Sequence, residues 1–163
     1  MNQDRIKELF IYDPDTGVFT TRVSRGRWKN GDIAGTKHCG GYIQIGVDQR
    51  HYLAHRLAFL YMTGSFPPEQ VDHINGDKAD NRWENIRAVN GSQNMKNTSL
   101  YKNNTSGFCG VSWVKSERKW VVRISHGGVQ LYLGGFSEIS EAVEARKAAE
   151  KKFGYHKNHG RVL

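Results

Sequence analysis

The apolar residues of this chain come in short runs, none longer than the six from Leu57 to Met62, and turn residues interrupt them throughout. That punctuation limits the chain to small strands, hairpins and short helices. A six-residue run is far shorter than the roughly 20 apolar residues that cross a bilayer. Met1-Asn2-Gln3-Asp4-Arg5 lacks the apolar core of a signal peptide. A soluble protein with no membrane partner, not exported by that route, is therefore expected. With 163 residues, 37% of them hydrophobic, the chain can hold one ordinary domain or two small ones and is not disordered throughout. Its two cysteines, Cys39 and Cys109, make neither a disulfide framework nor a four-cysteine zinc site, and read as reduced packing residues.

Three regions differ in composition. Up to about residue 66, turn signals such as Asp13-Pro14-Asp15-Thr16-Gly17 and Gly40-Gly41 separate β-prone runs at 18–21 and 42–47. A helix from Leu53 to Met62 follows, with Ala54, Leu57, Ala58 and Tyr61 on one face. Between about 67 and 97, apolar strands at 71–74 and 86–89 flank a polar loop, and a short helix carries Asn94. Residues 98–106 read as a linker. From 107 to 163, strands at 111–113, 120–124 and 130–133 precede a helix capped by Ser137, with Ala142, Ala145, Ala149 and Phe153 as its buried stripe. The fold class expected is α+β: a hairpin-rich part at 1–97, and a three-stranded antiparallel sheet packed on one helix at 107–163.

Several chemistries fail on spacing. His51 and His55 lie four apart, but Tyr52 stands where a zinc protease needs Glu. The acids Asp72, Asp77 and Asp80 do not alternate as a calcium loop requires. No glycine loop ends in Gly-Lys-Ser/Thr and no Gly-x-Ser-x-Gly elbow is present, so neither a nucleotide cofactor nor serine hydrolysis has support.

One group remains: Asp72-His73, Asn85 and Asn94. Phosphodiester hydrolysis needs a base to activate water and a cation to neutralise charge on phosphate and leaving oxygen. A histidine titrates in the right range for the base. A carboxylate and an amide oxygen are hard donors suited to a single Mg²⁺ or Mn²⁺. Asp72 and His73 would point to opposite faces of a strand unless the strand ends there.

The stretch Val71-Asp72-His73-Ile74-Asn75-Gly76-Asp77 through Trp83-Glu84-Asn85-Ile86-Arg87 closely resembles the HNH endonuclease family, in the branch found in bacteriophages and mobile introns. Tyr52-Leu53-Ala54-His55-Arg56-Leu57-Ala58-Phe59 looks like what precedes the motif there. The resemblance covers roughly residues 8–97. It implies a ββα-metal hairpin at about 70–97, with His73 as general base, Asn85 bracing the hairpin, and Asp72 and Asn94 holding the metal. Asn94 stands where the last histidine of the family name usually stands. Asn81 is expected to tie the loop, Asn97 is an outside candidate near the metal, and Arg56, Arg82 and Arg87 are candidate phosphate clamps.

The last region resembles the three-stranded DNA-binding domain of plant ethylene-response (APETALA-type) factors. The matching residues are Ser106-Gly107-Phe108-Cys109-Gly110-Val111, Trp113, Lys119-Trp120-Val121-Val122-Arg123-Ile124 and Leu133-Gly134-Gly135-Phe136. By period two, Trp120, Val122, Ile124, Leu131 and Leu133 face the helix. Ser112, Arg123, Ser125, Gln130 and Tyr132 then form a face able to read base edges. Lys102, Lys115, Arg118 and Lys119 flank it as phosphate contacts.

The net charge of +8 favours a polyanion as partner. It divides into +2 over residues 1–100 and +6 over 101–163, so the excess sits mainly in the last region. The expectation is a metal-dependent endonuclease of homing type that cuts double-stranded DNA in the cytoplasm of a bacterial host, as monomer or dimer. Its rival is a non-catalytic, sequence-specific DNA-binding regulator on a degenerate nuclease scaffold.

Overall fold

A computed structural model describes residues 1–162. The chain divides into two units, Met1–Asn90 and the residues from Gly91 onward. The mixed α+β class follows the sequence pattern. No helix among the described residues is long and apolar enough to cross a membrane.

The first unit opens with a helix that the sequence pattern did not suggest. Helix α1 (Gln3–Leu9) is capped by Asn2, whose side chain accepts the backbone N–H of Arg5 at 2.9 Å. It buries Ile6 and Leu9. Strands β1 (Phe10–Tyr12) and β2 (Phe19–Thr21) pair as a hairpin. At its turn the Asp13 carboxylate accepts from the backbone N–H of Asp15 and the hydroxyl of Thr16.

Strands β3 (Thr36–Lys37), β4 (Ile43–Val47) and β5 (Arg50–Leu53) form an antiparallel meander. The β4–β5 turn places Asp48 and Gln49 at φ of 46° and 64°. Such a turn usually takes Asn-Gly. Here the Asp48 carboxylate is gripped by Arg5 and Arg25, which ties the strained corner to its surroundings.

Helix α2 (Ala54–Thr63) starts one residue after the expected Leu53, which is its N-cap, and stops at Gly64, whose left-handed backbone directs its N–H to the carbonyl of Leu60. Leu57, Ala58 and Leu60 pack with Ile6, Phe19, Ile45 and Val47 into one core. Strands β6 (Gln70–His73) and β7 (Ile86–Val89) form a separate antiparallel pair, and a 3-10 turn at Trp83–Asn85 leads into β7.

The second unit holds α3 (Gly91–Met95) and a sheet of β8 (Val111–Val114), β9 (Lys119–His126) and β10 (Val129–Phe136). Helix α4 (Ile139–Lys152) packs on this sheet, where Ala142 joins Val111 and Val122 in a core, and Ala149 is buried further along the helix. Its N-cap is Glu138 rather than Ser137, and no side chain caps the helix. Arg146 is also buried on α4. Its guanidinium donates to Glu150, the Arg123 carbonyl and the His159 ring, which compensates the burial.

The segment read as a linker at 98–106 is tied down by hydrogen bonds. Residues 96–100 join the chain's last stretch: Lys96 Nζ donates to the Phe153 carbonyl, Leu100 N to Arg161 O, and Gly160 N to Thr98 O. The division between units accordingly falls at Asn90/Gly91 and not within 98–106. Polar composition suggested a loose tether, but these polar groups are paired within the second unit.

Leu57 has no exposed surface, so Leu57→Ala should lower the unfolding free energy by about 2–5 kcal/mol. Urea denaturation followed by circular dichroism measures it.

Candidate active site

Asp72 and His73 are the last two residues of β6, paired with Arg87 and Ile86 of β7. Both are buried, with 8% and 4% of their surface exposed. Beyond His73 the backbone turns at once, with Gly76 N donating to His73 O and Ile74 N to Asn85 O. The loop from 75 to 85 is a closed network. Asn85 Oδ1 accepts from Asn75 N at 3.0 Å, and its Nδ2 donates to the Asp80 carbonyl at 2.8 Å. One buried amide thereby fastens both limbs of the loop.

His73 is oriented directly by a different residue. Asn81, 2% exposed, gives its Nδ2 to the Ala79 carbonyl and presents Oδ1 to His73 Nε2 at 3.2 Å. An amide oxygen only accepts, so at this contact Nε2 carries the ring hydrogen. Sequence reasoning gave Asn81 only the task of tying the loop. The ring's tilt is set by two aromatic neighbours. The His55 ring stands edge-on at 5.0 Å between centroids, and the Tyr42 ring lies at 6.0 Å. Burial pushes the His73 pKa down, partly opposed by the bond to Asn81 and by Asp72, Asp77 and Asp80.

The candidate phosphate clamps are engaged within the unit. Arg87 lies across the strand pair from Asp72 and donates Nε and Nη2 to its Oδ2 at 3.1 and 2.8 Å. Arg82 forks onto Asp80 and also reaches Glu84, and Asp80 is held below its usual range mainly by that contact. Arg56 donates to the carbonyls of Glu69 and Pro67. Each arginine sits beside acids or carbonyls that sequence spacing could not place.

Asn94 lies on α3 and belongs to the second unit, as does buried Asn97, whose carbonyl and Oδ1 accept from Arg161 Nη1. Among the described residues no three His, Cys, Asp or Glu side chains converge as a metal group. Asp72, next to His73 in sequence, is a hard donor. One carboxylate fits an ion that keeps several waters, as Mg²⁺ does, better than a fully protein-ligated zinc.

In the second unit the sheet register puts Gln130 opposite Ser125, Tyr132 opposite Arg123, and Ser112 opposite Val121. By strand alternation, Ser112, Arg123, Ser125, Gln130 and Tyr132 share one face, and all five are exposed. Lys119 joins that face, since it pairs with Val114 two places along from Ser112. Lys102, Lys115 and Arg118 are exposed in turns. On the opposite face Trp113 and Trp120 pack at 5.2 Å.

This ββ hairpin with a buried, oriented histidine has a counterpart among known proteins. Residues 52–96 match a family model described as HNH endonuclease. Among individual relatives, the uncharacterized HNH endonuclease L247 of Acanthamoeba polyphaga mimivirus is 38% identical over 107 residues, 58% of this chain and 27% of that protein. Protein 3.8 of Escherichia phage T7 is 33% identical over 60 residues, 37% of this chain and 50% of that protein. The matches thus span half or less of the length of these relatives. A solved structure described as DNA binding and cleavage by the HNH homing endonuclease I-HmuI aligns with 97% of this chain and 93% of its own, at 20% identity and a TM-score of 0.48.

His55 generates a pH prediction. Burial, with His73 and Arg56 adding to it, pushes its pKa down to about 3. The unfolded chain takes up that proton near pH 6.5, so below this value the unfolded state binds more protons and stability falls as pH drops towards 3. The variant His55→Phe should lose less stability between pH 7 and 4.5 than the parent, as read by urea titrations at both values.

Proposed function

We propose that the chain is a divalent-metal-dependent HNH endonuclease that hydrolyses phosphodiester bonds of double-stranded DNA. The observation that carries this reading is His73: a buried imidazole whose Nε2 meets the Asn81 amide oxygen, next in sequence to a carboxylate, inside the stretch that matches the family model. His73 takes the proton of a water aligned with the scissile phosphate. Asn81 holds the ring at Nε2, and Asn85 keeps the loop closed around it. Asp72 would hold the Mg²⁺ or Mn²⁺, and the resemblance alone names Asn94 as a further ligand. When bound, the ion supplies positive charge at the phosphate and the leaving oxygen.

The second unit serves targeting in this reading. Its exposed face of Ser112, Arg123, Ser125, Gln130 and Tyr132 supports the APETALA-type resemblance, with alternate side chains presented as a groove reader requires. Lys102, Lys115, Arg118 and Lys119 supply phosphate contacts. The viral origin of both named relatives accords with a viral or mobile-element setting, and homing-type action in the cytoplasm of a bacterial host is part of the same proposal.

One observation favours the rival, a non-catalytic DNA-binding regulator: Asp72 already has a cationic partner in Arg87. Incubation of supercoiled plasmid with Mg²⁺ separates the two. The parent should nick or linearise the plasmid while His73→Ala does so at least about 100-fold more slowly. Equal rates would discard the nuclease reading. For the targeting face, Arg123→Ala should weaken DNA binding, and a phosphate contact there would reduce the slope of log affinity against log salt by about one. Affinity equal to the parent's across a salt titration would remove Arg123 from the interface.

A further inference from the structure

The endonuclease reading leaves unused a set of contacts from the start of the chain onto the residue that orients the base. Tyr12, at the end of β1 and 4% exposed, donates its hydroxyl to the Asn81 carbonyl at 2.7 Å, in a buried bond spanning 69 residues of sequence. Trp83 N donates to the Pro14 carbonyl at 2.9 Å. Between these, Gly17 of the same turn lies against the backbone of residues 81–82. A Cβ at Gly17 would stand 2.4 Å from Arg82 N and from the Asn81 carbonyl carbon, and its φ of +73° is left-handed besides. The β1–β2 turn therefore meets residues 81–83 at three successive points, and its own shape is locked by the Asp13 carboxylate.

The Asn81 side chain cannot be aimed independently of this backbone. Its amide is anchored within the loop at Ala79 and ends on His73 Nε2. A rotation of the 81–82 peptide would swing Oδ1 away from the imidazole, and Nε2 would no longer be held as the donor. An oriented base is worth far more than a merely nearby one, because small misplacements of a reacting group cost large factors in rate.

We propose that Tyr12 is a positioning residue for His73, acting through the backbone of Asn81, so that the N-terminal hairpin sets the geometry of the base. The proposal rests on the endonuclease reading only for its activity arm. A hydroxyl and a glycine 56 to 61 residues ahead of the histidine hold it by way of one intermediate amide.

The test uses the full chain and Tyr12→Phe, which removes one hydroxyl and keeps the ring. Single-turnover nicking of plasmid DNA at saturating protein with Mg²⁺ should slow by about tenfold, while DNA affinity stays at the parent value. In an Asn81→Ala background the same substitution should cost little further rate, because the side chain through which it acts is gone. Nitrogen-15 NMR of the His73 ring in the parent should show the Nε2–H tautomer, and Tyr12→Phe should shift that pattern towards a mixture. An unchanged ring pattern, an unchanged rate, or the same tenfold loss in both backgrounds overturns the proposal. If the parent does not nick DNA but Tyr12→Phe alters the His73 ring, the nuclease reading falls and the positioning stands. If the parent nicks and the ring is indifferent to Tyr12, the positioning falls and the nuclease reading stands.

Discussion

A buried histidine ring is oriented by what its nitrogens meet, and the Asn81 amide oxygen holds Nε2 of His73 as a donor. Much of the first unit can be traced outward from this contact. Asn85 closes the loop in which Asn81 sits, the 3-10 turn at Trp83–Asn85 carries the chain back into β7, and the strand pair sets Asp72 opposite Arg87. Burial matters as much as bonding. Each polar group here is nearly out of water, so its partners fix its orientation, and losing one would leave a desolvated atom unsatisfied.

The same economy of partners explains the arginines. A guanidinium beside buried carboxylates pairs with them unless something stronger competes. Arg87 on Asp72 and Arg82 on Asp80 follow that rule. In the first unit these cations therefore serve the internal network, and the near balance of charge over residues 1–100 has a structural cause. In the second unit the cations of the exposed sheet face have no such acids across the register, since Arg123 stands opposite Tyr132 and Lys119 opposite Val114.

Much of this could be read in the sequence, for physical reasons. Strands with alternating or wholly apolar residues, such as β7 and β9, announce themselves because burial enforces periodicity. Helix α2 does so through Leu57 and Ala58, and the His73–Asn85 pair through its spacing. Helix α1 was not legible, because seven residues with two buried apolar positions carry too little periodicity to stand out. Strand β5 was hidden likewise, since Arg50 and His51 are exposed and its last residue, Leu53, reads as the start of the following helix. Asn81 as the orienter of His73 could not be found by pattern at all. Its role depends on where the Asn81 side chain ends in space, which is fixed by contacts with Tyr12 and Gly17 far away in sequence. The buried Arg146 escaped for the same reason, because its partners His159 and the Arg123 carbonyl lie outside its own helix.

The bonds between residues 96–100 and the closing stretch of the chain bear on how the protein is made. Lys96 and Asn97 leave the ribosome 57 and 64 residues ahead of Phe153 and Arg161, to which they bond. At ordinary elongation rates that is a wait of about 3–12 s. Over that interval the Met1–Asn90 unit already has every residue of its own core, whereas the second unit still lacks the residues that pin its first segment. Vectorial synthesis thus gives the two units an order: the base-bearing part can mature first, and the part proposed to find DNA is completed last.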